Sequence, residues 1–230
     1  MKRWLTCVCL LAMHPAHAGS IARAVATLPD VPAPPQGESQ WIARAMRMNG
    51  LPMTIQALYS HEGPGDLVHF YESWAKQVSG AQTKRSRTRD AEMLSIRSSS
   101  FLITIELHPV ITGTQGTIAT SAPPEKATLS TTTDFPHPKS WRVANLQEYD
   151  DAGKETEHIT FTSEQGPAHD AQAIADLLGS SGWILVNEHA SSANNFLVEA
   201  QRNAELARIV ITGDIEHRVN SLVTVLWSKG

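Results

Sequence analysis

Cysteine is confined to the first nine residues: Cys7 and Cys9 are the only two in the 230-residue chain. Whatever follows the N-terminal segment therefore has no disulfide, no redox-active thiol and no cysteine metal ligand. Positive charge is also short, with Lys+Arg at 19 against Asp+Glu at 23 and a formal charge of −4. A net-negative chain argues against a nucleic acid or an anionic membrane surface as the main partner, because both select positive faces. After the first eighteen residues no apolar run approaches the roughly 20 residues a helix needs to cross a bilayer. No Gly-rich loop follows a strand anywhere, so nucleotide binding has no support.

The leader itself is informative. Lys2 and Arg3, an apolar stretch from Trp4 to Met13 and the small-x-small triplet Ala16-His17-Ala18 read as a secretory signal cleaved after Ala18. No cysteine stands just after the apolar run, so a lipoprotein anchor is not expected. The expectation is a soluble periplasmic protein whose formal charge falls to −6 once Lys2 and Arg3 are removed.

A pattern then occurs twice. Ser60, Gly63 and Pro64 have counterparts in Ser163, Gly166 and Pro167, and Trp41 is matched with Trp141. Each instance sits between an apolar hairpin-like stretch and a helix-like stretch. This self-similarity predicts a tandem duplication. The expected organisation is a signal peptide over 1–18 and a Pro-rich tether over 19–38. A first module over 39–121, a Ser/Thr/Pro-rich linker over 122–138 and a second module over 139–230 follow.

Within the first module, Asn49-Gly50 between Trp41–Met48 and Met53–Tyr59 predicts a hairpin, since both central residues of the favoured turn need positive φ. A helix over Trp41–Met48 is the competing reading. Gly63-Pro64 opens a helix, and Leu67, Phe70, Tyr71, Trp74 and Val78 recur at helical spacing. Gly80 stops it. Lys84, Arg85, Arg87 and Arg89 fall in a polar loop, and strands follow at 92–97, 101–108 and 115–121. The second module repeats the plan: strands near 141–149 and 157–163, a helix from Pro167 with Ile174, Leu177 and Leu178 inward, then four strands to Trp227. The fold class expected is α+β: two tandem modules, each an antiparallel sheet (a hairpin, then a meander) with one helix packed on one face. The Gly-Pro-helix-meander design, with Phe70-Tyr71 and Trp74 in one half and Leu177-Leu178 and Gly182-Trp183 in the other, resembles small modules of exported bacterial proteins. That resemblance implies architecture and no catalytic site.

Three patterns could carry chemistry. Ser73-Trp74-Ala75-Lys76 matches Ser-x-x-Lys of penicillin-binding enzymes, and Ser192-Ala193-Asn194 echoes their second element. The third, Lys-Thr-Gly, is missing, and a chance match explains Ser73. Eight histidines lie beyond the leader: His61, His69, His108, His137, His158, His169, His189 and His217. They could serve zinc or copper with carboxylates, yet they are scattered and form no His-x-x-x-His pair. The basic segment is the one concentrated positive feature. Lys84, Arg85, Arg87 and Arg89 are the candidate interaction residues, read against an ordinary solvated loop.

The resulting expectation is a non-enzymatic envelope protein with an interaction or scaffolding role, an accessory subunit of a secretion or pilus assembly, with no cofactor and no metal. Its partner would be another envelope protein that lends a strand to an open sheet edge. The alternatives are a periplasmic metal- or small-ligand-binding protein and, third, a Ser-x-x-Lys hydrolase.

Overall fold

Asn49 and Gly50 adopt φ of 52° and 80°, the mirror-image turn that an Asn-Gly step favours, and the rest of the fold grows from the hairpin they close. The computed structural model describes residues 18–124, 131–151, 154–213 and 220–230. Apart from Ala18, the expected signal peptide lies outside these residues.

A short helix α1 (Ala18–Val25) comes first. The hairpin β1 (Gly37–Met48) and β2 (Leu51–Ser60) leads to α2 (Pro64–Ala75), then to β3 (Gln82–Arg87), β4 (Glu92–Arg97), β5 (Leu102–Val110) and β6 (Gly113–Ser121). The second half has the same order: β7 (Arg142–Asp151), β8 (Lys154–Ser163), α3 (Pro167–Ser180), β9 (Ile184–Ser192), β10 (Asn195–Arg202), β11 (Glu205–Gly213) and β12 (Ser221–Ser228). Antiparallel sheet dominates, with few helices, in line with the α+β expectation at that coarse level.

The two expected separate sheets are one. The twelve strands run β3-β4-β5-β6-β2-β1-β7-β8-β12-β11-β10-β9. The first strand of each half has a free edge after its hairpin forms, and these two edges pair: Met46 with Tyr149, Arg47 with Glu148, Met48 with Gln147. Asn49 extends the seam, donating its N–H to the Leu146 carbonyl (2.7 Å) and accepting from the Leu146 N–H at Oδ1 (2.8 Å). Cross-strand neighbours share a face, so the row Pro52, Arg47, Glu148 and Glu157 lies on one side. Leu58 shares that side with Pro52 and packs with the α2 core, while Ile159 shares it with Glu157 and packs with the α3 core. Both helices therefore cover the same face.

Each half has its own core. Beneath α2, Leu67 and Tyr71 meet Leu94, Ile96, Ile103, Ile105 and Ile118. Beneath α3, Ile174 and Leu178 meet Ile159, Phe161, Val198, Ile209 and Val225. Burying each such aliphatic side chain contributes about 1.5–3 kcal/mol. A smaller group of Ala43, Met46 and Met53 backs the seam.

The Pro-rich stretch before β1 is extended, but it is not a free tether. Val31 is only 3% exposed within the first core, and the Pro32 carbonyl accepts from the Tyr71 hydroxyl at 3.3 Å. The end of the expected linker behaves likewise: Phe135 is 1% exposed in the second core. Asp30-Val31-Pro32-Ala33-Pro34 and Asp134-Phe135-Pro136-His137-Pro138 thus dock one apolar side chain each into their own half. Proline pre-sets φ and lowers the entropy lost on docking. Trp41 and Trp141 are not equivalent: Trp41 lies within β1 opposite Gln56, whereas Trp141 precedes β7 and is buried.

The seam encloses a polar hollow lined by Arg47, Glu148, Tyr149, Glu155, Glu157 and Lys229, with Ile21 of α1 at its wall. Lys229 Nζ reaches Glu157 at 2.5 Å, and Thr133 Oγ1 donates to the same carboxylate at 2.6 Å. Burial raises the Glu148 carboxyl above its usual range, against the opposing pull of Arg47 at 4.0 Å. An acid held high in the folded state contributes most stability below its unfolded value, near 4.5, and loses it as pH rises through the folded value. Glu148→Gln cannot ionise. Its melting temperature, followed from pH 4 to 8, is expected to decline less steeply than wild type above the ordinary Glu range. Parallel curves would exclude this role for Glu148.

Candidate interaction surfaces

The residues that end β2 and β8 and open the helices are placed alike. Ser60 and Ser163 are fully buried, and each hydroxyl accepts the N–H two residues on, at 3.1 Å. Opposite them, Thr114 Oγ1 donates to the Glu62 carbonyl (2.7 Å) and Ser221 Oγ to the Gln165 carbonyl (2.6 Å). Gly63 and Gly166 cap the helices in extended conformation, with Pro64 and Pro167 in the first turn. The halves differ in what the serine hydroxyl donates to. Ser60 donates to the Pro35 carbonyl at 2.6 Å, Ser163 to Asp170 Oδ1 at 3.0 Å. Asp170, buried on α3, also accepts from Trp141 Nε1 at 2.8 Å, and its Oδ2 is unpaired among the described residues. These hydroxyls are structural clasps, each engaged by backbone or by Asp170.

The basic segment is an outer strand, not the loop expected. Six residues, Gln82 to Arg87, pair in register with Arg97 to Glu92, and all six are exposed. Charge masked the strand in the sequence: no apolar alternation marks it, because neither face of β3 is deeply covered. Arg85, opposite Leu94, leans to the helix side, where its guanidinium bonds the Glu72 carboxylate of α2 and lies 3.2 Å from His69 Nδ1. That bond holds the Glu72 carboxyl below its usual range. Arg87 shares this side, opposite Glu92; Lys84, opposite Ser95, points to the other. Arg89 lies just beyond the strand and is exposed.

At the far end of the sheet, β9 pairs only with β10 among the described residues and exposes all nine of its own. Ile184 and Val186 are 65% and 60% exposed. On the face away from the helices, Leu206 (56%), Val210 (40%) and Leu226 (46%) stand clear of the core. Val186, Leu206 and Leu226 line a shallow hollow crossed by a polar row. There Arg208 Nε donates to Glu199 at 2.7 Å and Asn187 Nδ2 to the same carboxylate at 3.2 Å, which holds Glu199 below the usual carboxylate range. The uncovered aliphatic face lies outside the sequence expectations, which held only an open sheet edge. Its signal was present in β11, where Ala207, Ile209 and Ile211 alternate with Leu206 and Val210: a strand apolar on both sides needs cover on both.

The other candidates are dispersed. His61 sits by Tyr59 and Thr112, His108 by Glu106 and the Asp90 carbonyl, and His137 Nδ1 donates to the Phe135 carbonyl at 2.7 Å while its ring lies against Phe161. His217 lies outside the described residues. No three His, Cys, Asp or Glu converge as a metal site among the described residues. Ser73 and Lys76 are exposed on and just after α2, and Ser192 to Asn194 lie at the β9–β10 turn in the other half. No helix among the described residues is long and apolar enough to cross a membrane. Compared with protein-family models, curated proteins and solved structures, the chain matches none.

Proposed function

We propose that this chain is an exported, non-enzymatic scaffold of the cell envelope, an accessory part of a secretion or pilus assembly, that docks a partner protein on its uncovered aliphatic face and extends its sheet from β9. The leader-like first eighteen residues support export. In this reading the chain is two copies of one unit, supported by the shared element order and by the paired Ser-x-x-Gly-Pro clasps. The Asp-apolar-Pro-x-Pro segments support it too, and they move the start of each unit upstream to about Leu28 and Thr132.

One observation carries the binding role. Strands β9 to β12 bear apolar residues on both faces, while α3 covers only one. Leaving Leu206, Val210 and Leu226 in water gives up roughly 25 cal/mol for each Å² of apolar area that a partner would bury. The free β9 edge beside them can supply main-chain hydrogen bonds to an incoming strand.

A photoreactive residue at Leu206, in the exported chain in intact cells, is expected to give a discrete cross-linked species; one at Gln172 on exposed α3 is not. Val210→Glu with Leu226→Glu should abolish that species yet change folding stability by no more than about 0.5 kcal/mol per site, as for exposed positions. No adduct from Leu206, or the same adduct from both positions, would refute the proposal.

A further inference from the structure

We propose that the opposite edge of the sheet is a second binding surface, selective for an acidic extended segment of another protein that pairs with β3. This inference does not rest on the aliphatic face at the other end.

Four cations fall within Lys84 to Arg89 of a chain whose overall charge is negative. They are spread over both sides of one outer strand, Lys84 to one side and Arg85 and Arg87 to the other. Arg85 is already engaged by Glu72, and Arg87 faces Glu92 across the pair with β4. Lys84, Arg87 and Arg89 form no ion pair among the described residues. Glu72 and Glu92 act on Arg85, Asp90 adjoins Arg89 in the chain, and Glu106 lies two strands in on the Lys84 side.

Edge strands rich in Lys and Arg resist pairing with their own kind, since two copies of β3 would set cation against cation. The same charges admit a strand of opposite sign, because opposite charges directly across a pair of strands are favourable. The unpaired backbone of β3 decides the class of ligand. It offers a row of alternating N–H and C=O groups, and only another main chain satisfies both. A phosphate-bearing lipid or nucleic acid meets the cations but leaves the carbonyls unpaired. The side-chain alternation further implies carboxylates on both faces of the partner, so a run of neighbouring Asp or Glu fits better than acids at every second position.

The probe is a fluorescent eight-residue peptide of Glu, Val and Thr with adjacent glutamates, titrated into the full mature chain and read by anisotropy. A peptide of equal charge with proline at alternate positions cannot pair as a strand and serves as the control. Saturable binding of the first, at least tenfold tighter than the second, is expected. Lys84→Glu with Arg87→Glu should weaken it at least tenfold. Thr83→Pro and Ser86→Pro sit at positions of opposite parity, so one of them removes an N–H pointing away from β4. That variant should lose binding with an unchanged circular dichroism spectrum. As a readout that needs no variant, amides within residues 82–87 should exchange more slowly when peptide is added. Equal affinity for the two peptides, unchanged exchange over β3, or a preference for phosphatidylglycerol vesicles over the peptide would each overturn the proposal.

Discussion

Tyr71→Ala is expected to cost about 3–5 kcal/mol of folding stability, the range for truncating a fully buried aromatic. The ring is completely enclosed beneath α2, packs edge-on against Phe70 with centroids 4.9 Å apart, and sends its hydroxyl to the Pro32 carbonyl at 3.3 Å. Burial also raises the hydroxyl's pKa, so it is a neutral donor at every working pH. Truncation opens a cavity in the first core and frees the Pro-rich segment that docks there. For a chain of this size the melting temperature should fall by roughly 10 °C. Tyr71→Phe isolates the hydrogen bond and should cost only about 1 kcal/mol. Urea denaturation gives both numbers. Hydrogen exchange adds a test of the two-unit reading: protection should drop over α2 and β3 to β6 and persist over β8 to β12. A uniform loss across both halves would show one cooperative unit.

The second large effect is expected at Asp170. Its carboxylate is the acceptor for two buried donors, Trp141 Nε1 and the Ser163 hydroxyl. Asp170→Ala strands both, and each buried donor left without a partner costs about 1–3 kcal/mol. A loss of about 2–6 kcal/mol follows, centred on the second half. Asp170→Asn keeps an oxygen acceptor and removes a buried carboxylate that has no ion-pair partner among the described residues. It should therefore fall within about 1 kcal/mol of wild type. Melting curves followed by tryptophan fluorescence decide the matter. If the Asn variant were as damaged as the Ala variant, charge rather than acceptor geometry would be what Asp170 supplies.

Asp170 also shows where sequence reading reaches its limit. In the first half the equivalent place on the helix is Leu67, and the serine clasp is completed by the Pro35 carbonyl. Nothing local distinguishes a helix acid that faces water from one that replaces a distant backbone carbonyl. Local rules did reach the hairpin at Asn49-Gly50, both Gly-Pro helix starts and strand β4, whose ends at Glu92 and Arg97 match the expectation. They failed at β3, since an outer strand with both sides wet carries no alternation to detect. They also failed at Trp141, whose burial depends on a partner 29 residues later. The basic candidates were found by composition alone, and their arrangement on two sides of a strand was not.

Turns, helix starts and most strands were legible in the chain, because positive φ, proline geometry and apolar period act over a few residues. Three things were not: the union of both halves into one sheet, which strands stand open at its two ends, and the aliphatic face left without cover. Those depend on which distant edges and surfaces meet: β1 pairs with β7 through the backbone edge that each hairpin leaves free.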